Sequence, residues 1–233
     1  ITQFFYNMTD RAIILAQGAY PSHPYPLQLL HKAKMLVCTD GAVNNLRDKD
    51  PDIIVGDLDS LSEPLKERYA SRLVMNADQN TNDLTKAVMY CHKQGIRTVT
   101  ILGATGLRED HTLGNISLLG DYARMMDKVQ MVTDYGIFWA YAEKESQSEG
   151  YVSFSIPCIK GGPVSFFGLN PGLKLQVTGV KYPVENVIFD AFWKATLNLC
   201  TANRLEVRFR NGPLLIYMTH PTPFPEAPGI WEV

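Results

Sequence analysis

The sequence predicts an α/β N-terminal domain with a mostly parallel, Rossmann-like sheet, followed by a small antiparallel β-sandwich C-terminal domain. Two observations lead to this prediction. In residues 1–136, short apolar runs alternate with amphipathic segments of helical period, and this alternation is typical of a parallel sheet covered by helices. In residues 137–233, apolar and polar residues alternate at every second position without a long helical pattern, which is typical of antiparallel strands.

The first domain is predicted to alternate strands with helices along its length. Short apolar runs predict strands at 11–16, 35–38, 52–55, 73–75, 98–102 and 129–132. The clearest helix carries Leu84, Ala87, Val88 and Cys91 at i, i+3, i+4 and i+7, and Gly95 ends it. Further helices are predicted from Pro26 onward, from Ser62 to about residue 72, and over residues 113–126.

The second domain is predicted from period-two alternation. Apolar residues stand at every second position in 152–156, 173–177, 197–199 and 205–209. Asn211-Gly212 is a hairpin turn signal, so we expect the strand before it to pair with the strand at 214–218.

Composition excludes several classes of protein. The chain has 233 residues, of which 45% are hydrophobic and 20% charged, as in globular proteins that bury a core. A net charge of −2 gives no broad basic surface for nucleic acid. The four cysteines are far apart, so we expect neither a zinc site nor a disulfide framework. No apolar run approaches the ~20 residues that cross a bilayer, and the start does not resemble a signal peptide; we expect a cytoplasmic protein without membrane attachment.

Aspartates gather where predicted strands end. Asp40, Asp57, Asp59, Asp83 and Asp110 each follow a strand of the first domain. Because the carboxyl ends of parallel strands line one crevice, we expect these side chains to converge there. Clustered carboxylates favour a bound cation, and oxygen ligands favour Mg²⁺, which usually also binds substrate phosphates.

The pair in Gly56-Asp57-Leu58-Asp59-Ser60 is the strongest part of this pattern. Two residues apart on an extended segment, Asp57 and Asp59 are predicted to face one ion. The alternative is ordinary, since an aspartate at a strand–helix junction is often only an N-cap, and Asp83 stands at the start of a helix. The combined pattern favours a site.

Other polar residues have two possible roles each. The turn Gly103–Gly106 can present backbone N–H groups to phosphate or be a plain turn. Arg108 can bind phosphate or be solvated, and Lys86 can reach phosphate or pair with Asp83. Neither a dinucleotide fingerprint nor a P-loop is present.

Four sequence blocks of the first domain occur in an informative order. They are Asp40-Gly41-Ala42, Gly56–Ser60, Asp78–Lys86 and Gly103–Asn115. In order and spacing they resemble the motifs of the thiamin pyrophosphokinase family. In the second domain, Gly179–Pro183 is similar to a segment of the same family.

The resemblance implies an enzyme that moves the terminal pyrophosphoryl group of ATP to the hydroxyethyl oxygen of thiamin and releases AMP, with Mg²⁺ as cofactor. It implies that Asp57, Asp59 and Asp83 hold Mg²⁺. It places Asp40 near the reacting centre and Gln79, Lys86, Arg108 and Asp110 around the nucleotide. It also implies a homodimer whose thiamin pocket lies between the α/β domain of one subunit and the β domain of the other.

The chain departs from the family pattern at three positions. Asn82 stands where the family usually has Thr, and Leu107 replaces the second glycine of Gly-Gly-Arg. Ala202-Asn203 stands nearest to a Ser-Asn pair of the thiamin pocket, and Asn203 is our predicted thiamin contact. The first two changes leave the metal site plausible, whereas the third concerns the acceptor.

Three rival functions fit parts of the pattern. A metal-dependent phosphatase would use Asp57 as nucleophile and release phosphate without an acceptor. A sugar-nucleotide transferase would use Asp57-Leu58-Asp59 with a metal. A non-catalytic module would bind thiamin and nucleotide without producing AMP.

Overall fold

A computed structural model describes residues 10–47, 49–144 and 150–220 of the chain. These residues form two compact units. The first comprises the chain up to Leu118 with Met125–Asp134, and the second comprises Leu119–Arg124 with the chain from Tyr135 onward. Among the described residues, no helix combines the length and apolar character that crossing a membrane requires.

The first unit is built on a parallel sheet. Its strands are β1 (Arg11–Leu15), β2 (Leu36–Thr39), β3 (Ile53–Gly56), β4 (Leu73–Met75), β5 (Thr98–Leu102) and β6 (Lys128–Val132). The order is β6-β5-β1-β2-β3-β4, and each neighbouring pair is parallel. The helices are α1 (Pro24–Lys32), α2 (Glu63–Arg68), α3 (Asp83–Lys93) and α4 (Glu109–Met125). The prediction of a mostly parallel sheet is confirmed.

The apolar runs of the sequence become the core of this unit. The side chains of Ile14, Val37, Ile54, Ile101 and Met131, one from each of five strands, have no solvent exposure. Full burial of such a side chain contributes about 1.5–3 kcal/mol. The strands read as continuous apolar runs because helices cover the sheet.

The strand order reverses between β1 and β5. A parallel sheet opens a crevice at such a reversal, outside the carboxyl ends of its strands. The turns that follow β1 and β5 are hydrogen-bonded to each other: the N–H of Gly18 donates to the carbonyl of Gly103 at 2.5 Å, and that of Ala19 to the carbonyl of Thr105 at 2.8 Å. Backbone hydrogen bonds therefore hold the two turns together at this end of the sheet.

Two predicted helix boundaries are wrong. Helix α1 begins at Pro24 rather than Pro26, because Nδ1 of His23 caps it by accepting from the backbone N–H of Tyr25 at 3.2 Å. Helix α2 ends at Arg68, and a separate 3-10 turn covers Ala70–Arg72.

The second unit consists of antiparallel strands in two groups. One group contains β7 (Gly136–Tyr141), β9 (Pro163–Gly168), β11 (Asn198–Leu199) and β13 (Leu214–Thr219), in the order β11-β9-β13-β7. The other contains β8 (Val152–Pro157), β10 (Lys174–Thr178) and β12 (Arg204–Arg210), in the order β10-β12-β8. The antiparallel β architecture predicted for this part of the chain is confirmed.

The hairpin predicted at Asn211-Gly212 is wrong. Strand β12 pairs with β8 and β10, whereas β13 pairs with β7 and β9. The chain therefore leaves one sheet at Asn211 and enters the other at Leu214. Pro213 lies between Asn211 and Leu214 and has no backbone N–H to donate to a neighbouring strand. The prediction from Asn211-Gly212 did not include this effect of the proline.

Candidate active site

A cavity of about 440 Å³ lies at the carboxyl ends of the strands in the first unit. Its wall comes from the last residue of β2 and from the segments after β1, β3, β4 and β5, so residues far apart in sequence converge as the fold predicts. The predicted site residues Asp57, Gln79, Asp83, Lys86 and Arg108 all line it.

Asp40 is the most enclosed of the predicted acids. It follows β2 directly and is 1% exposed. Its Oδ1 accepts from the backbone N–H of Gly41 at 2.7 Å, whereas its Oδ2 has no hydrogen-bond partner among the described residues. Burial, followed by the charges of Asp83 and Asp57, raises the pKa of Asp40 above its ordinary value. A buried carboxyl with one free oxygen is suited to taking up a proton or meeting a cation.

The position before Asp57 has no room for a side chain, which explains why a glycine stands there. A Cβ on Gly56 would lie 2.6 Å from Cγ of Asp40, so a side chain there would displace the buried carboxyl. The Gly-Asp pair at the end of β3 thus lets two acidic strand ends approach each other.

The segment after β3 is not extended, and the geometric reason we gave for pairing its two aspartates is wrong. Leu58 has a φ of 68°, in the left-handed region, and the backbone N–H of Asp59 folds back to Oδ1 of Asp57 at 3.1 Å. This hydrogen bond, the amide of Gln79 and the charge of Lys86 lower the pKa of Asp57. Asp59 is exposed and is not part of the cavity wall, so its role as a metal ligand stays a prediction.

Asp83 and Lys86 form an ion pair at the start of α3. Nζ of Lys86 lies 2.9 Å from Oδ1 of Asp83, and the lysine side chain is only 3% exposed. Burial alone would lower the pKa of Lys86, but the hydrogen bond to Asp83 and the charges of Asp83, Asp57 and Asp40 together raise it. The lysine is therefore a fixed positive charge beside three carboxylates.

Arg108 and Asp110 pair with each other at the beginning of α4. Nη2 of Arg108 lies 2.5 Å from Oδ2 of Asp110, and its Nε donates to Oδ1 at 3.1 Å. Both side chains are largely exposed. The hydrogen bond from Arg108, with that from the backbone N–H of His111, lowers the pKa of Asp110. Arg108 lines the cavity and Asp110 does not.

The turn after β5 is shaped by close backbone contacts. Gly103 has a φ of 61°, and a Cβ there would lie 2.8 Å from the carbonyl oxygen of Ala16. Only glycine adopts this conformation without strain and without displacing the turn after β1.

Gln17 and Asn115 are among the cavity residues to which the sequence assigned no role. Gln17 follows β1, and its amide lies so near Gly41 that a Cβ on that glycine would be 2.0 Å from it. Asn115 lies in the second turn of α4, and its Nδ2 donates to the carbonyl of Ala104 at 2.9 Å. The position of Gln17 at the end of a strand is a signal in the sequence, but its uncharged amide does not belong to the pattern of aspartates at strand ends.

Asn203 belongs to the second unit. Its Oδ1 accepts from the backbone N–H of Lys160 at 3.3 Å, and the residue is exposed just before β12. Its predicted role in binding thiamin stays a prediction.

Within the described residues, no group of three or more His, Cys, Asp or Glu side chains is gathered closely enough to form a preassembled metal site. The acids of the cavity are instead held by internal partners, namely Asp83 by Lys86 and Asp57 by Asp59 and Gln79. The prediction that Asp57, Asp59 and Asp83 share one ion stays a prediction.

A doubly wound parallel sheet whose strand ends carry acids, a buried lysine and a tight glycine turn is typical of α/β proteins that bind phosphorylated ligands at the strand-order reversal. A family model described as thiamin pyrophosphokinase, catalytic domain, matches residues 27–133. Over these residues, which make up a little under half of the chain, the protein is similar to the thiamin pyrophosphokinase family.

Curated relatives and solved structures with this name are also similar to the chain, which spans less than half the length of the first of these relatives. Thiamin pyrophosphokinase 1 of Caenorhabditis elegans is 36% identical over 102 residues, which are 39% of this chain and 42% of the relative. Thiamine pyrophosphokinase 1 of Oryza sativa subsp. japonica is 28% identical over 185 residues, 68% of each chain. The crystal structure of the Bacillus subtilis thiamine pyrophosphokinase has a TM-score of 0.71 at 22% identity, covering 90% of this chain and 98% of that one, and it supports the fold.

Proposed function

We propose that this protein is a magnesium-dependent thiamin pyrophosphokinase, a cytoplasmic transferase that converts ATP and thiamin into AMP and thiamin diphosphate. The observation that carries the proposal is the convergence of the acidic, lysine and arginine side chains of three family motifs on one cavity at the strand-order reversal. Transfer of phosphoryl-type groups needs neutralised charge and in-line positioning more than a protein nucleophile, and these residues supply both.

The residues of the site fit a magnesium ion. The unpartnered Oδ2 of Asp40 and the adjoining carboxylate of Asp57 are oxygen donors of the kind that Mg²⁺ prefers. We assign Asp57, Asp59 and Asp83 as the residues that would hold the ion. When bound, Mg²⁺ neutralises negative charge on the transferred and leaving phosphates.

The chain's own side chains have separable tasks. Lys86 and Arg108 bind phosphate oxygens, and Gln79 orients the nucleotide beside Asp57. The hydroxyl oxygen of thiamin attacks the β-phosphorus of ATP, the bond from that phosphorus to the oxygen bridging the α-phosphate breaks, and AMP leaves with that oxygen.

The proton of the attacking hydroxyl goes to a carboxylate, for which Asp40 and Asp110 are the candidates. Asp40 is the better base because burial raises its pKa, whereas the pairing with Arg108 lowers the pKa of Asp110. We therefore assign Asp40 as the base and Asp110 as the residue that orients Arg108 around the nucleotide.

The acceptor half of the reaction is assigned to the second unit and to a homodimer. The roles of the two domains, catalytic in 1–136 and thiamin-binding and dimer-forming in 137–233, follow from the family resemblance. Asn203 is our assigned thiamin contact, and a closed twofold dimer would provide two complete sites.

The rival functions make different products. A phosphatase that uses Asp57 as nucleophile would release phosphate without thiamin, a sugar-nucleotide transferase would not consume ATP, and a binding module would produce no AMP. The test incubates the purified protein with ATP, Mg²⁺ and thiamin and measures AMP and thiamin diphosphate. Equal amounts of both products, absent when thiamin or Mg²⁺ is left out, are expected; phosphate release without thiamin would refute the proposal.

A further inference from the structure

Asn82 is one of the three positions at which the chain departs from the family pattern, with asparagine in place of the usual threonine, and its side chain makes two hydrogen bonds. Its Oδ1 accepts from the backbone N–H of Thr85 at 2.8 Å and so caps α3. Its Nδ2 donates to Oδ1 of Asn115 at 3.2 Å, and Nδ2 of Asn115 in turn donates to the carbonyl of Ala104 at 2.9 Å. A chain of three hydrogen bonds thus runs from α3 across α4 to the turn after β5.

The orientation of both amides in this chain is determined by backbone groups. The N–H of Thr85 donates and therefore takes the oxygen of the Asn82 amide as its partner, which turns the nitrogen of Asn82 toward Asn115. The carbonyl of Ala104 accepts only a donor, which turns the oxygen of Asn115 toward Asn82. Donor and acceptor therefore match at the central bond.

A threonine could not make the same connection. Its hydroxyl is a good N-cap, but it carries a single oxygen close to the backbone, and that oxygen is used by the cap. The amide of asparagine is one atom longer and offers its acceptor and its donor on separate atoms, so Asn82 can cap α3 and still reach Asn115.

The two ends of the chain carry different parts of the cavity wall. Helix α3 carries Asp83 and Lys86, and the turn Gly103–Gly106 leads into Arg108. A nucleotide that touches both parts needs them at a fixed separation. We propose that Asn82 and Asn115 are positioning residues that hold the acidic start of α3 in register with the turn after β5; this rests on the proposed function of the cavity.

The test separates the cap from the connection. Asn82→Thr keeps a capping oxygen and removes the donor to Asn115, and Asn115→Asp keeps the acceptor for Asn82 and removes the donor to Ala104. Asn76→Thr is the matched control, since Asn76 lies in the same β4–α3 connection, accepts from the backbone N–H of Asp78 at 3.1 Å and is outside the cavity wall. Magnesium–ATP binding is measured by calorimetry, and amide hydrogen exchange is measured without nucleotide.

Asn82→Thr should weaken magnesium–ATP binding by roughly three- to tenfold, the effect of losing one hydrogen bond between neutral groups. Asn115→Asp should weaken it further, because it also adds a negative charge to the cavity wall. Exchange should accelerate at Gly18 and Ala19, whose N–H groups donate to the turn after β5, while the N–H of Thr85 stays protected in Asn82→Thr. The control should change neither quantity, and the two variants combined should cost no more than Asn115→Asp alone.

Unchanged exchange at Gly18 and Ala19 in Asn82→Thr, with its α3 amides protected as in the parent, would refute the positioning role. This readout does not use thiamin. A parent protein that makes no thiamin diphosphate would refute the proposed function, and the exchange comparison would still decide the role of Asn82.

Discussion

The two units of the chain use polar residues in different ways. In the first unit, strands such as β2 are buried along their whole length, and polar side chains follow at the carboxyl ends, where a parallel sheet collects them. In the second unit, polar residues are spread over the faces of strands: along β12, Arg204–Arg210, exposed and buried side chains alternate at every position. Antiparallel strands also send their ends to opposite edges. A functional edge is therefore visible in the sequence of the first unit and not in that of the second.

The largest effect on activity is expected when a charge is removed from Asp57 or Asp59, the two aspartates that follow β3. Asp57→Asn and Asp59→Asn should each lower turnover by roughly 10²- to 10³-fold, because each removes a carboxylate assigned to Mg²⁺. Circular dichroism should show an intact fold. Asp121→Asn, which alters an exposed ion pair with Arg124, is the control and should remain active. Near-normal turnover of both variants at limiting Mg²⁺ would refute the assignment of Asp57 and Asp59 as magnesium ligands.

Asp40→Asn should separate activity from stability. Loss of the base should lower turnover by about 10²-fold or more. Because burial raises the pKa of Asp40 in the folded protein, the folded state binds its proton more tightly, and stability decreases as pH rises between the unfolded and folded pKa values.

The neutral asparagine in Asp40→Asn removes the free-energy cost of burying an ionised carboxylate. Without Mg²⁺, Asp40→Asn should therefore unfold at a higher temperature than the parent at pH 7. The difference should disappear in acid, below the ordinary pKa of an aspartate, where Asp40 is neutral in both states. Calorimetric unfolding at several pH values measures it, and a variant that is less stable than the parent at pH 7 would contradict the assigned cost of burying the charge.

A substitution in the second unit should change the KM for the acceptor, thiamin. Asn203→Ala should raise the KM for thiamin by about tenfold and leave the KM for ATP unchanged, since one contact to the acceptor is lost. Asn170→Ala, at another exposed turn of this unit, serves as the control. An equal rise in both KM values would place the effect on the fold rather than on the acceptor.

Mixing two impaired variants tests whether the acceptor site is shared between copies. Asp57→Asn combined with Asn203→Ala, under conditions that allow subunit exchange and at thiamin concentrations far below the raised KM, should regain part of the activity, because some mixed dimers contain one intact site. Failure to regain activity, with exchange demonstrated, would mean that each site is built within one chain.

The smallest effect is expected at the exposed pair of Arg108 and Asp110. Asp110→Asn should leave the unfolding temperature nearly unchanged, since exposed ion pairs contribute little. It should raise the KM for ATP by roughly threefold by releasing Arg108 from its bidentate partner. A drop in turnover as large as that of Asp40→Asn would instead identify Asp110 as the base.

The same contrast explains what the sequence could predict. Short buried runs such as Thr98–Leu102 and the helical spacing from Leu84 to Cys91 report burial directly, so the parallel sheet and α3 were predictable. The convergence of Asp57 and Asp83 on one cavity followed from their positions after strand ends. The turn at Leu58 was not predictable, because a leucine in the left-handed region has no local signal.

Two further features were not predictable from the sequence, because each depends on contacts between residues distant in the chain. The chain turns at Asn211-Gly212 as its residues suggest, but which strand receives β13 depends on contacts distant in sequence. The connection from Asn82 to Asn115 likewise joins residues 33 positions apart and has no local pattern.

The proposed reaction breaks the bond between the α- and β-phosphates of ATP. The direct measurement uses ATP labelled at the β-phosphorus, with Mg²⁺ and thiamin, and follows the label through product separation. We expect the label to move entirely to thiamin diphosphate and unlabelled AMP to appear in equal amount. Label retained in ADP, formed in proportion to a thiamin product, would mean transfer of a single phosphoryl group and would refute the proposed reaction.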